Sequence, residues 1–566
     1  MHIRIRCGRK AVQVGAFGGL LALSLMTVSS PCLGQVPPVP SSEGAADLGQ
    51  DTAAVPSQVV LGNLPSMTDQ LPTSPLAKPL GMPFSPAAYQ ALKDAARSQA
   101  TPGNTPGPQA LGGTGPIEHD TPTSSLLILP PVAGDEGNAG NLIPSDMAVA
   151  ASPSYVIQVV NSRITVLDTS GNPAAGFPKS LNAFFSVSGD LIGDIRALYD
   201  PHNTRWIVTA EDFTANNLLL AASQSSNPTS GWWIYTIGMG TLEGDFPMLG
   251  QSMQESGDGK GAIYSSWLRF NANGSFSDNF VAIFPKSKVY AGSSFSYNYF
   301  YNFTWGGATV DTLQPANVMN NTDRPRCEYL MNTFNFNFAS PNNGVVVWAI
   351  KNGVPASGSP SVTSTRVNTV NNYSIPPSAP QPGASGYCYL DTGTARFDGE
   401  VTYSAGSLYG AIPNNTGVQM FVIHPTLNAS AAITSATMLN EIVWGVSGFT
   451  GGGQAYYPTM QPDPAGNFTM VCNYSSPTIY PSTAFLSGRV SQAFGTLNDS
   501  GYYLAGGQAF YCQLDQYNRD RWGDYTAACP SYTAPGAFWF SGQYSESSGN
   551  WGTAIGKNGY TGTGQP

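Results

Sequence analysis

From about Asn141 to the C-terminus, apolar residues arrive in short runs of four to eight that stop at Gly, Asn, Asp or Pro. SYVIQVVNSRITVLDTSGN (154–172), TRWIVTAEDF (204–213), NGVVVWAIKNG (343–353) and VQMFVIHP (418–425) are typical. Such runs, rich in β-branched and aromatic residues and bounded by turn formers, predict strands. The runs 156–160 and 164–167 flank Asn161-Ser162-Arg163, which predicts a hairpin. Small echoes recur. Gly-Asp precedes an apolar residue at Gly193-Asp194-Ile195, Gly244-Asp245-Phe246 and Gly523-Asp524-Tyr525, and Arg-Trp occurs at Arg205-Trp206 and Arg521-Trp522.

These echoes suggest one four-stranded module used several times. The expected fold is therefore all-β: a single β-propeller of about six or seven four-stranded blades over 141–566. Its blades would average about 61 or 71 residues, longer than compact repeats, so long loops are expected. Residues 35–140 differ. They are rich in Pro, Gly, Ser and Ala, with TPGNTPGPQALGGTGP (101–116) as the extreme, and predict a disordered spacer. One short helix is expected inside it at 86–99, with Ser85 as N-cap, Pro86 at N1 and Gly103 past its end.

Residues 1–34 read as a signal peptide. Arg4, Arg6, Arg9 and Lys10 precede a short apolar core from Ala16 to Val28, and cleavage is expected near Gly34. A lipid anchor on Cys32 is the rival reading, and Pro31 fits it poorly. No later segment reaches 18 apolar residues, so a secreted protein, extracellular or periplasmic, without a transmembrane segment is expected.

Charge narrows the function. The chain carries 34 acids and 24 basic residues; loss of the four basic residues in 1–34 leaves 20, a net of −14. A nucleic-acid partner is excluded for want of a basic surface. Charged residues make up 10% of the chain, which suits strands and turns better than long surface helices. Of seven cysteines, Cys7 and Cys32 leave with the signal. Cys512 and Cys529 are nearest in sequence and are the expected disulfide, against the alternative of buried free thiols.

The order of segments resembles a family of exported bacterial β-propeller proteins of uncharacterised function. The resemblance rests on Tyr199-Asp200-Pro201…Arg205-Trp206 and on Arg521-Trp522-Gly523-Asp524-Tyr525, and extends over about 141–556. It implies six or seven blades and brings no catalytic assignment. The chain departs from the pattern at Cys529-Pro530-Ser531, where an Asp-Pro is expected.

Available chemistry is limited. His2, His119, His202 and His424 are the whole histidine inventory, which leaves no His-rich metal set and little for a Ser-His-Asp triad. No nucleotide cradle, Asp-box, WD or kelch signature occurs, and no cofactor is expected. No metal site is assigned, although calcium held by carbonyls and single carboxylates leaves little sequence trace. Carboxylates are the reactive class: Asp194, Asp245, Asp391, Asp398, Glu400 and Asp524 are the candidate acids, each weighed against a turn-capping role. Arg521 with Asp524 reads as a blade-locking pair. Trp232, Trp233, Tyr301, Trp305, Tyr457 and Trp539 are candidate ligand-stacking aromatics, each weighed against core packing. The expected function is a monomeric, non-enzymatic binding module for an extracellular glycan, peptide or protein. The alternative is a carboxylate-dependent polysaccharide hydrolase or lyase.

Overall fold

A computed structural model describes residues 44–66, 85–99, 127–128, 144–253, 261–319, 325–334, 342–354, 358–415, 417–445, 453–489, 493–497, 501–533 and 536–559. The expected signal peptide, with its cleavage point near Gly34 and Cys32, lies outside them. The structure is mostly β.

From residue 148 the chain makes seven successive antiparallel meanders, here sheets 1 to 7: 148–180, 192–238, 243–305, 314–373, 401–445, 454–505 and 527–559. Strands pair in chain order within each. The first strands are Ala148–Ala151, Ile192–Asp200, Glu243–Gln251, Gln314–Val318, Val401–Ser404, Gln454–Pro462 and Ala527–Pro530. They lie side by side in that order, and the last lies beside the first. Hydrogen bonding runs across the first strands of sheets 3, 4 and 5 in parallel, which makes one 14-stranded ladder.

Each meander is apolar on both faces, so it needs a neighbour on each side. Cores accordingly alternate with sheets. Ile157 and Trp232 share the core between sheets 1 and 2, and Leu218 and Trp267 that between 2 and 3. Phe303 and Trp348 follow, then Tyr329 and Phe421, Trp444 and Met470, and Phe485 and Phe540. The seventh core joins Trp539 of sheet 7 to Val156 of sheet 1.

The first strands share a local device. Register breaks between Gly193 and Arg196, between Asp245 and Met248, and between Tyr456 and Thr459. Asp194, Phe246 and Tyr457 sit at these bulges with φ of 52°, 59° and 51°, a left-handed conformation that is costly for such side chains. Two of the three Gly-Asp echoes mark such bulges, at the starts of the first strands of sheets 2 and 3; the third precedes the first strand of sheet 7, and the bulge at Tyr457 carries no echo.

The described parts of 35–140 are ordered, in contrast to the expected spacer. Gly44–Ala53 pairs along the outer edge of sheet 3, and Ser57–Val60 along that of sheet 2. Leu127–Ile128 supplies the outer strand of sheet 7. Main-chain pairing to an exposed edge needs no apolar periodicity, so composition did not reveal it. Gly49 lies against the Tyr299 ring, where a Cβ would fall 2.3 Å from a ring carbon. A helix, α1, spans Pro86–Gln99, and Ser85 Oγ accepts the Ala88 amide at 3.2 Å.

The disulfide is Cys388–Cys512, not Cys512–Cys529. Cys529 lies buried in the first strand of sheet 7 with its thiol free. Gln381 instead exchanges hydrogen bonds with the Tyr511 backbone and brings the loop holding Cys388 against Cys512. Nearness in sequence was the wrong guide because a strand carries Cys529 into the core. Cys472 is also a buried free thiol, and Cys327 is buried.

Removal of 44–60 uncovers the edges of sheets 2 and 3. A variant lacking these residues is expected to melt several degrees lower and to self-associate with rising concentration in light scattering. An unchanged monomer with unchanged melting temperature contradicts the edge-covering role.

Candidate functional site

The candidate acids converge where the first strands begin. Asp194, Asp245, Asp398 and Asp524 are each 4% exposed or less. A hydrogen-bonded chain ties them across sheets. The Asp524 amide donates to Asp146 Oδ1 at 2.7 Å, Asn161 Nδ2 donates to Asp146 Oδ2 at 3.0 Å, and the Asp194 amide donates to Asn161 Oδ1 at 3.0 Å. The Tyr525 hydroxyl donates to Asp194 Oδ2 at 3.3 Å. Glu211 joins Asp194 and Asp245, with carboxylate oxygens of all three within 4.8 Å of one another.

Arginines hold much of this charge. Arg521 pairs with Asp524, three residues on, at 2.5 Å, and Arg396 pairs with Asp398 at 2.8 Å. The Arg196 guanidinium lies 3.5 Å from the centre of the Tyr525 ring and donates to the carbonyls of Pro247 and Asp398. Arg396 likewise lies over Phe246. Burial sets the titration. It pushes Asp398 up to about 7 against the pull of Arg396, and, with the Asp524 charge, pushes Asp146 to about 7.

Asp391 has the opposite poise. Burial would raise it, but Lys93, Arg519 and Arg521 outweigh burial and hold it at about 2. The cations stand 3.7, 3.8 and 3.7 Å away. Two of its partners come from α1. The Tyr89 hydroxyl donates to Asp391 Oδ1 at 2.6 Å, and Lys93 donates to Thr392 Oγ1 at 2.7 Å and to the carbonyls of Gly393 and Pro376. Helix α1 thus closes over Asp391.

Glu400 lies apart from these pairs. Burial raises it to about 8, opposed by Arg196. Beyond it a polar chain runs from Asn317 to Gln251, Lys286 and Asp200, with Lys286 Nζ 2.7 Å from Asp200. At the other ends of the first strands of sheets 4 to 7 lies a pocket of about 160 Å³. Its walls are largely apolar, from Met319, Pro462, Pro464, Pro530 and Ala537, with Ser404, Ser531 and Tyr532 adding hydroxyls. The Tyr532 hydroxyl is enclosed and has no hydrogen-bond partner.

The aromatic candidates divide otherwise than expected. Trp232, Trp305 and Trp539 are enclosed core residues. Trp233 packs against the same cluster as Trp267, and Tyr301 lies over Arg269. Trp232, Trp305 and Trp539 fill the space between sheets, whereas Trp233 and Tyr301 are half-buried. Tyr457 is buried too; its hydroxyl donates to the Asp391 carbonyl. Asp463 caps a turn, its Oδ1 accepting the amides of Ala465 and Asn467.

Sequence reading missed Asp146, Glu211, Lys93, Tyr89 and Tyr532. Asp146 follows Ser rather than Gly, a variant of the Gly-Asp echo. Glu211 stands inside the apolar run TRWIVTAEDF, and a lone acid there is the signal that could have found it. Nothing local marked Tyr532.

Among the described residues no helix is long and apolar enough to cross a membrane. No family model and no curated protein matches this chain. Solved structures resemble it at low similarity. A protein of unknown function from Dyadobacter fermentans has 10% identity and a TM-score of 0.29, over 74% of this chain and 95% of that one. The exo-beta-1,3-galactanase of Phanerochaete chrysosporium with galactose has 9% identity and a TM-score of 0.28, over 77% and 97%. The alpha-L-arabinanase of Penicillium chrysogenum with arabinobiose has 8% identity and a TM-score of 0.26, over 64% and 92%. Likenesses at these TM-scores carry no inference about this chain.

Asp146, Asp398, Glu400 and Asp520 are raised by burial to about 7, 7, 8 and 8. Unfolded, they titrate near 4. The folded state therefore holds extra protons between about pH 4 and 8, and its stability falls as pH rises through that window. Below pH 4 protonation of Asp391 opposes the gain. Scanning calorimetry should give the highest melting temperature near pH 4–5 and a decline to pH 8. Glu400→Gln should flatten the upper part of that decline; a profile that rises from pH 5 to 8 contradicts the assignment.

Proposed function

We propose that the seven sheets are the blades of an exported β-propeller, and that it is a non-enzymatic module binding one neutral sugar ring of an extracellular glycan in the pocket at Tyr532. The carrying observation is the pocket itself, whose largely apolar walls are edged by Ser404, Ser531 and Tyr532. A cavity of about 150 Å³ holds one benzene-sized ring, so this pocket suits a single ring. Proline rings and the tyrosine face suit the apolar side of a sugar, and the serine hydroxyls suit its polar edge. The circular order of cores and first strands supports seven blades, and the loss of every candidate acid into buried interactions supports binding over hydrolysis.

Calorimetry of the purified chain against neutral glycans from an array tests this reading. Tyr532→Phe is expected to weaken binding ~tenfold without lowering the melting temperature. Pro464→Trp, which fills the mouth, is expected to abolish binding. Equal affinity in both variants, or capture of peptides alone, refutes the sugar site.

The hydrolase reading has one observation in its favour. Asp391 and Asp398 flank Gly393 and are driven apart, to about 2 and about 7, the split that acid–base pairs show. It requires α1 to leave. A chain lacking 86–99 should then release reducing sugar from a polysaccharide, and Asp398→Asn in that chain should stop it; no release by the shortened, folded chain removes the reading.

A further inference from the structure

We propose that Asp194, Glu211 and Asp245 form a calcium site that clips sheet 2 to sheet 3. Three carboxylates from two sheets approach within 4.8 Å, with exposures of 4, 0 and 2%. Two oxygens across a calcium ion bound at about 2.4 Å are separated by a similar span. The backbone delivers them there. Asp194 occupies the bulge of one first strand, Asp245 borders the bulge of the next, and Glu211 lies across from Gly193.

A second observation points to the same place. Thr209 is fully enclosed, and its Oγ1 has no hydrogen-bond partner among the described residues. It precedes Glu211 by two residues on one strand, so both side chains leave the same face. That face is the one toward sheet 3: Ile207, two residues earlier, and Leu218, across from Glu211, belong to the core shared with Trp267. Across from Thr209 is Arg196, two residues after Asp194. The hydroxyl therefore faces the same inter-sheet space as the acids and is a fourth oxygen ligand.

Electrostatics favours a cation. Asp146 and Asp524 add negative charge nearby, and both, after burial itself and with Asp245 and Glu211, drive the Asp194 carboxyl well up. Arg196 directs its guanidinium to two carbonyls, Met248 Sδ and the Tyr525 ring. The donors are all oxygen, with no histidine or thiolate, which selects a hard ion over zinc or copper. Calcium tolerates this irregular set better than magnesium, which demands an octahedron and keeps its waters.

The test uses the full chain stripped with chelator and titrated with CaCl2 in a calorimeter and a melting assay. One ion per chain is expected, with a higher melting temperature and with proton release that grows toward lower pH. Glu211→Gln and Asp245→Asn should lose both effects. Thr209→Val should weaken binding ~tenfold while leaving the chelator-treated melting temperature unchanged. It decides the matter where the acid variants do not fold. MgCl2 should bind at least tenfold more weakly than calcium. No heat and no melting shift at about 10 mM calcium, or binding unaltered by both Glu211→Gln and Thr209→Val, overturns the site.

Discussion

The contact between the end of the chain and its first sheet carries the architecture. The Asp524 amide reaches Asp146 across 378 residues of sequence, and Trp539 packs with Val156 behind it. Without that contact, sheets 1 and 7 would each leave an apolar face in water. Burial stabilises by about 25 cal/mol per Å², so a single uncovered sheet face is a large penalty against a marginal folding free energy. The outer strand Leu127–Ile128 reinforces the same junction by joining an early segment to the last sheet. Further early strands cover the edges of sheets 2 and 3, so one N-terminal stretch protects several edges.

Charge concentrates where the first strands begin. Each first strand lies beside the next, and an acid at its start captures backbone amides and arginines from its surroundings. Isolated buried charge is costly, whereas an enclosed pair missing one partner costs about 3–5 kcal/mol. The pairs Arg521–Asp524 and Arg396–Asp398 therefore neutralise charge locally, within the segments that precede the first strands of sheets 7 and 5, and the Asp524 amide on Asp146 makes the link between sheets. Helix α1 completes this by giving Asp391 a lysine and a tyrosine. The opposite strand ends are less polar, and there prolines and Tyr532 line a pocket.

How much of this was legible in residue order varies with the range of the interaction. Strand runs, hairpins, the N-cap at Ser85 and the Gly-Asp echoes depend on neighbours a few positions apart, and each can be seen locally. The echoes were the deepest signal, since two of them fall on the same bulge at the starts of the first strands of sheets 2 and 3. Composition misled at 44–60, because strand addition to an edge is made by the main chain. It misled again with tryptophans, because rings large enough to stack on a sugar are also those that fill the gap between sheets.

The chain's own order of residues determined that it is a β-rich protein of repeated small sheets, acidic, poor in histidine and restricted to carboxylates for reactive chemistry. Those are properties of composition and of short-range periodicity. Tertiary structure alone decided that Cys388 rather than Cys529 meets Cys512, that Asp194, Glu211 and Asp245 converge, that α1 closes over Asp391, and that Tyr532 borders a pocket. Each of these joins residues from different sheets or loops. Their meeting depends on the sum of all turns and bulges between them, and no local pattern encodes that sum.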